Sequence, residues 1–208
     1  MHEPRPGYRD AILPADQRDG PRVNLLIRPA KLVTPAGEFL CVMRDVSTGG
    51  CKVHLFHPLP DAPAMVLELG NGDRYGVEPV WIRDDKAGLR FVDPVPIEYL
   101  LNEEGQFRKR PVRIRVCVPA LVVAGRDASP VALRDISQQG ARVEGEASVA
   151  VDQRVRLEIR GIANVVAKVR WKRAGALGLV FEETYRLHEL AAVAMKLQGQ
   201  SAPPSPAG

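Results

Sequence analysis

The chain has 208 residues, of which 45% are hydrophobic and 26% charged; this is the usage of an ordinary globular protein and excludes a largely disordered chain. Its formal net charge of +4 and sequence pI of about 9.1 permit an anionic partner, although a bulk nucleic-acid binder has a denser basic face. Three cysteines without a spaced framework predict free thiols in a reducing compartment, and no run approaches the roughly 20 apolar residues of a membrane span, so we expect a cytoplasmic protein.

The N-terminal segment, residues 1 to about 21, is rich in Pro and Gly and has little periodicity, which predicts an irregular arm. It carries Arg18 and Arg22, four residues apart on a stretch that Gly20 and Pro21 keep from forming a helix. Pairing along a helix therefore does not explain these two cations.

Short apolar and β-branched segments follow the arm, separated by Pro, Gly, Asn and Asp, and this cadence is typical of an antiparallel sheet closed into a small barrel. The predicted strands lie at residues 23–27, 38–43, 51–55, 64–69, 75–82 and 89–92. Hairpin turns are predicted at residues 71–73 and 84–88, and a short helix at 97–101.

The second half of the chain repeats this organisation. Its predicted strands lie at residues 114–123, 131–135, 141–143, 154–159, 165–171 and 177–181. Leu187, Leu190, Ala191, Ala194 and Leu197 recur at three- and four-residue steps, which predicts an amphipathic helix over 183–197. The remaining Pro, Ala, Ser and Gly residues predict a disordered tail.

An internal duplication accounts for the two similar halves. The pattern Arg-Asp-x-Ser-x-x-Gly occurs at residues 44–50 and again ninety residues later, at 134–140. The same offset brings Trp81 onto Trp171, the two Trp residues of the chain, and Gly-Leu-x-Phe also recurs at this interval. We therefore predict two copies of one domain. The predicted boundaries are an arm at 1–17, a first domain at 18–105, a second at 106–198 and a tail at 199–208.

The repeated motif has a structural and a functional interpretation. Asp45, Ser47 and Gly50 stand at a strand junction, where Asp and Ser side chains commonly close turns. Alternatively, they form one wall of a polar ligand site, and the basic arm before the barrel favours this second interpretation. An Arg fork can hold a phosphate or the O6/N7 edge of guanine, while an Asp can accept from the guanine N1–H and N2–H₂ groups. Together these groups would suit a guanine nucleotide.

The combination of Arg-x-x-x-Arg, a small barrel and Asp-x-Ser-x-x-Gly resembles the PilZ domain, the bacterial receptor module for cyclic di-GMP. The late Gly-Leu-x-Phe strand and the C-terminal helix are also similar to that family. The resemblance implies an all-β fold with minor α: two small six-stranded antiparallel PilZ-like β-barrels, each followed by a C-terminal helix. For the first unit it implies cyclic di-GMP binding by Arg18, Arg22, Asp45, Ser47 and Gly50.

The second unit departs from the family pattern upstream of its barrel. Its best match to Arg-x-x-x-Arg begins with Lys109 and ends at Arg113. Lys can hold a phosphate but cannot reproduce a bidentate fork, so this site is expected to be weaker or to use Arg108 in compensation. The ligand residues implied for the second unit are Arg108, Lys109, Arg113, Asp135, Ser137 and Gly140.

The resemblance also implies how such a protein would act. Cyclic di-GMP would close the basic arm onto the barrel mouth and reorient the barrels, a change read by an unidentified downstream protein. The alternative is an adaptor of the same fold that docks partners through a barrel face or the C-terminal helix without binding nucleotide. Aromatic residues make up 5% of the chain, so stacking platforms for single-stranded nucleic acid are scarce. The sequence leaves the oligomeric state open, a homodimer included.

Catalysis and metal binding are not predicted. The sequence contains no Ser/His/Asp arrangement and no phosphate-cradling Gly loop, so we expect neither catalytic residues nor a cofactor. Cys51, His54 and His57 stand at three-residue steps, which alternate faces on a strand, and no fourth ligand is near. We expect no metal site there.

Overall fold

A computed structural model describes residues 27–101 and 111–200, with the backbone alone at residue 101. Within these ranges the chain forms two closed antiparallel barrels of six strands each. A helix follows each barrel. The predicted fold class, all-β with minor α in two six-stranded barrels, is confirmed.

The first barrel is followed by the short helix α1 (Ile97–Leu101). Its strands are β1 (Arg28–Thr34), β2 (Gly37–Ser47), β3 (Gly50–Leu55), β4 (Met65–Leu69), β5 (Arg74–Arg83) and β6 (Lys86–Phe91). Around the barrel they lie in the order β1-β2-β3-β6-β5-β4. The strand β1 begins after the segment predicted at 23–27, of which the structure describes residue 27 alone and places it outside any strand. The sequence does not predict this strand because Pro is rare inside strands. Pro29 lies at a position where β1 pairs with β2 but not with β4.

The second barrel has the same strand order and is followed by α2 (Leu187–Gln198). Its strands are β7 (Ile114–Ala124), β8 (Asp127–Ile136), β9 (Gly140–Glu144), β10 (Arg154–Ile159), β11 (Val165–Arg173) and β12 (Ala176–Phe181). The helix begins four residues later than predicted. The Tyr185 N–H donates to the Gln138 carbonyl at 2.9 Å, which holds the preceding segment against the barrel in a non-helical path.

Alternating side chains fill each barrel. Along β7, Ile114, Val116, Val118, Ala120 and Val122 point inward and are buried, as the two-residue period of a strand requires. The helix α2 adds its apolar face to this second core through Leu190, Ala191, Ala194 and Leu197. A separate apolar cluster fills the first barrel.

The two Trp residues occupy equivalent places on the barrel walls. A Cβ at Gly88 would overlap the indole of Trp81, and a Cβ at Gly178 would overlap that of Trp171. Each glycine therefore provides the surface on which the neighbouring indole lies. This matched packing agrees with the duplication inferred from the sequence.

Neither helix in the described parts of the chain is long and apolar enough to cross a membrane.

Candidate functional site

The Asp-x-Ser-x-x-Gly segments form the tight loops that join β2 to β3 and β8 to β9. In the first loop the Ser47 hydroxyl donates to the Gly50 carbonyl at 3.2 Å, and in the second the Ser137 hydroxyl donates to the Gly140 carbonyl at 3.1 Å. Ser137 is 1% exposed. Both hydroxyls thus close turns, as the structural interpretation expects, and a ligand contact by either one stays a prediction.

Each loop is fixed to the chain that leaves the last strand of its barrel. In the second barrel the Gln139 carbonyl accepts from Phe181 N–H and the Gln138 carbonyl from Tyr185 N–H, both at 2.9 Å. The first barrel has the same two bonds at positions ninety residues earlier. These bonds hold the motif at a constant place on the barrel rim.

The last glycine of each motif allows two strands of the sheet to approach closely. A Cβ on Gly50 would overlap the carbonyl oxygen of Leu89, and a Cβ on Gly140 would overlap that of Leu179. The facing strands approach too closely at these points for any side chain. This close contact between strands accounts for both glycines without a ligand.

The two aspartates lie differently in their ladders. Asp45 has a φ of 34° and sits at a register shift of the β2–β3 ladder, the signature of a bulge. Its carboxylate pairs with Lys52 Nζ at 3.1 Å. Asp135 is instead in register with Arg142, and its ladder shifts one residue earlier. The copies have therefore diverged by one residue in the place of the bulge.

Arg113 and Asp135 meet in the structure. The Arg113 Nη1 donates to Asp135 Oδ1, and the side chain of Asp135 is 16% exposed while that of Arg113 is 47% exposed. The sequence separates these residues by 22 positions, and the barrel brings them together at one rim. The remaining predicted cations, Arg18, Arg22, Arg108 and Lys109, lie outside the described residues.

The segment upstream of the second barrel, residues 108–113, is called the second arm, and three further residues lie at its C-terminal end. Two of them, Lys31 and Glu38, are not predicted from the sequence. The third, Arg115, ends a stretch in which five of the eight residues 108–115 are Lys or Arg, and its Nε donates to Glu38 Oε1 of the first barrel at 2.5 Å. This hydrogen bond is the main cause that raises the pKa of Arg115. Lys31 Nζ donates to the Arg113 carbonyl at 2.8 Å. No sequence signal relates Lys31 and Glu38 to the arm, because the contacts depend on how the barrels pack.

The residues considered for a metal site do not converge. His54 Nε2 pairs with Asp85 at 2.9 Å, and Cys51 is buried in the first core. Within residues 27–101 and 111–200, no three His, Cys, Asp or Glu side chains are grouped to hold a metal ion.

Comparison with known proteins gives a family match for the second barrel. The model of the PilZ domain matches residues 106–194. No curated protein matches the chain.

Solved structures of similar length also match the chain. The Borreliella burgdorferi PlzA protein in complex with c-di-GMP is 13% identical, with a TM-score of 0.35 over 83% of this chain and 92% of PlzA. The Bacillus subtilis inhibitor of motility, MotI/DgrA, is 12% identical, with a TM-score of 0.35 over 84% of this chain and 96% of its own. Escherichia coli YcgR in complex with c-di-GMP is 14% identical, with a TM-score of 0.30 over 83% of this chain and 81% of its own. The family match thus identifies residues 106–194, which include the second barrel, as similar to the PilZ domain.

Proposed function

We propose that this chain is a bacterial, cytoplasmic receptor for cyclic di-GMP that passes ligand binding on to a protein partner. The observation that carries the proposal is the meeting of Arg113 and Asp135 at the rim of a PilZ domain. These residues come from the two halves of the predicted site. The chain performs no chemical step on its ligand in this proposal.

The chemistry of the pair suits a guanine dinucleotide. The Arg113 guanidinium offers two parallel donors to a phosphate or to guanine O6 and N7, and the Asp135 carboxylate accepts from guanine N1–H and N2–H₂. Arg108 and Lys109 would add phosphate contacts. Since Arg113 is about half exposed, its pairing with Asp135 contributes about 0–1 kcal/mol. A charged ligand can therefore displace this pairing at small cost.

Ligand binding would be read as a change at the junction of the barrels. The Arg113 carbonyl is bonded to Lys31 of the first barrel, so a movement of Arg113 toward a ligand acts on that contact. The ligand shifts the arrangement only by its difference in affinity for the two states. A downstream protein that binds one arrangement would receive the signal.

The test is calorimetric titration of the full chain with cyclic di-GMP. Arg113→Ala and Asp135→Ala should each weaken binding at the second site by a factor of about ten or more, because each removes charge-assisted bonds. Asp127→Ala, at an exposed position near the β7–β8 turn, is the matched control and should bind as the wild type does. If the wild-type chain gives no heat on titration and neither basic arm gains protection from hydrogen exchange with cyclic di-GMP, the proposal is excluded.

The same titration separates the two units. Asp45→Ala should remove binding at the first site alone, and the number of ligands per chain should fall accordingly. Binding that weakens with Asp135→Ala but not with Asp45→Ala would assign the ligand to the second barrel, in spite of Lys109.

One observation favours the adaptor as a second candidate function. Both aspartates already have protein partners, Lys52 and Arg113, and both serine hydroxyls close turns. A chain that docks partners through a barrel face or α2 would need no more than this. It would keep its cellular output when Arg113 and Asp135 are both replaced by Ala, whereas a receptor would lose it.

A further inference from the structure

An ion network with a buried centre and an exposed arginine, Arg115, lies at the junction of the two barrels. Lys31 Nζ is 2.9 Å from Glu38 Oε2 and 3.1 Å from Glu68 Oε1, and the side chains of Lys31 and Glu38 are 4% and 6% exposed. Glu38 also binds Arg115 of the second barrel. A buried ion pair adds little net stability compared with apolar packing. The structural effect of the network therefore lies in the groups that it holds in place.

The network holds the backbone at the start of β7. Lys31 Nζ donates to the Arg113 carbonyl at 2.8 Å, and Glu38 Oε2 accepts from the Arg115 N–H at 2.9 Å. The ladder of β7 with β8 begins at Ile114. Arg113 therefore precedes the ladder, and its carbonyl is held from the first barrel.

The network also determines which arginine faces Asp135. Arg115 is opposite Asp135 in the β7–β8 register, and opposite charges in that position attract each other across a sheet. The guanidinium of Arg115 instead binds Glu38. Asp135 pairs with Arg113, which belongs to the second arm.

We infer that Lys31 and Glu38 of the first barrel are positioning residues for the ligand site of the second barrel. Lys31 fixes the backbone that presents Arg113, and Glu38 withholds Arg115 from Asp135. The inference rests on the proposed function, since it concerns the affinity of that site for cyclic di-GMP. It makes the second site dependent on a neighbouring barrel that supplies no motif residue to it.

A rescue experiment tests the role of Glu38. In calorimetric titrations of the full chain with cyclic di-GMP, Glu38→Gln should weaken the second site about tenfold, the effect of losing about one charge-assisted hydrogen bond, because the released Arg115 competes for Asp135. Adding Arg115→Gln to that variant removes the competitor and should restore the affinity. Glu38→Gln without effect, or a double variant that stays as weak as the single one, would overturn the assignment.

If Glu38→Gln fails to fold, Lys31→Met provides a second test. In the Lys31→Met variant Glu38 still has Arg115 as its partner. This variant should also weaken the second site about tenfold. The control is Gln198→Met, which removes two bonds between α2 and the Glu38 backbone at the same junction but touches neither Arg113 nor Arg115. An equal loss of affinity in this control would show general loosening of the junction and contradict positioning.

Hydrogen exchange separates this inference from the proposed function. Without ligand, Lys31→Met should speed exchange of the amides of residues 114–116, while Gln198→Met should not. If the wild type fails to bind cyclic di-GMP but this difference is seen, the proposed function is wrong. The conclusion that Lys31 of the first barrel stabilises the backbone at the start of β7 then still stands. Equal exchange in all three proteins would refute that conclusion as well.

Discussion

At the scale of single residues, the motif glycines are required by contacts between strands. Gly50 begins β3 and faces the Leu89 carbonyl, whereas its neighbour Gly49 has open space where a Cβ would stand. Neither has a positive φ. The two neighbours share an ordinary φ and differ in the space available to a Cβ, so they form a matched pair.

Gly50→Ala should destabilise the first barrel by about 3 kcal/mol, because the new methyl group must push β3 away from β6. Gly49→Ala should be neutral or stabilise by up to about 1 kcal/mol, through the lower entropy of the unfolded chain. Urea unfolding of both variants measures the difference. Equal stability of the two would contradict the steric account of the motif glycine.

Two of the three free cysteines are buried in the first core. Burial raises the pKa of Cys51 to about 12 and raises the pKa of Cys41 as well. The ordinary value is 9.0. Between these values the unfolded chain loses its thiol protons while the folded chain keeps them, so the stability present below about pH 9 falls as the pH rises.

From about pH 8 to about pH 10 each buried thiol should cost about 1.4 kcal/mol of unfolding free energy. Denaturant titrations at the two pH values measure the loss, and Cys51→Ala should reduce it by about this amount. Cys117→Ala, at an exposed thiol, serves as the control. A loss that is the same in Cys51→Ala and the wild type would show that burial of this thiol does not produce the pH dependence.

At the scale of elements, the turn of the β11–β12 hairpin contains one residue, Ala174, that does not suit its geometry. Ala174 and Gly175 have φ values of 44° and 71°, and Arg173 pairs with Ala176 on either side of them. Two positive φ values in a two-residue loop are those of a type I′ turn, which favours Asn-Gly. Alanine therefore occupies a position that suits asparagine better.

Ala174→Asn should stabilise the second barrel by about 0.5–1 kcal/mol, because Asn tolerates the left-handed conformation better than Ala. Thermal unfolding measures the gain. Ala163→Asn is a suitable control, since Ala163 is also an exposed loop residue but has no positive φ. A gain of the same size in the control would mean that the turn conformation is not its cause.

At the scale of the whole molecule, one edge of the first barrel is covered by the second. Residues 37–40 of β2 extend beyond the ladder with β3, which begins at Cys41. The Gln198 side chain of α2 accepts from the Glu38 N–H at 2.6 Å and donates to the Glu38 carbonyl at 2.9 Å. Leu40, from the same edge, packs into the core cluster of the second barrel. Hydrogen bonds thus pair the backbone of Glu38 at this edge, and apolar contacts bury Leu40 beside it.

Leu40→Ala should separate the unfolding of the two barrels. Leu40 belongs to a strand of the first barrel, and its side chain packs into the core of the second. Truncating a buried Leu to Ala costs about 2–4 kcal/mol of stability, so this variant weakens the coupling between the two barrels. Trp81→Phe and Trp171→Phe backgrounds each leave one Trp, which reports on a single barrel by fluorescence. The midpoints read at the two Trp residues should move apart in Leu40→Ala. Leu121→Ala, at a partly exposed position of β7, should leave their separation unchanged.

Local information in the sequence determined most of the fold. Apolar alternation and turn residues are short-range signals, so strands such as Arg154–Ile159 were predicted at their observed bounds. The ninety-residue repeat predicted two barrels of one kind. The pattern does not predict the strand Arg28–Thr34, because Pro29 interrupts it. It predicts the start of α2 four residues too early, because the bond from Tyr185 N–H to the Gln138 carbonyl is a tertiary contact.

The chemistry of the candidate site was also present in the sequence, as Arg113 and Asp135, because residue types and motif spacing are local properties. Their meeting, and the partners Lys31 and Glu38 that hold the arm from the other barrel, were decided by the tertiary structure. The two copies carry the same motif, yet Asp45 pairs with Lys52 and Asp135 with Arg113. The position of a bulge and the packing of the barrels separate them, since both depend on contacts between residues far apart in the chain.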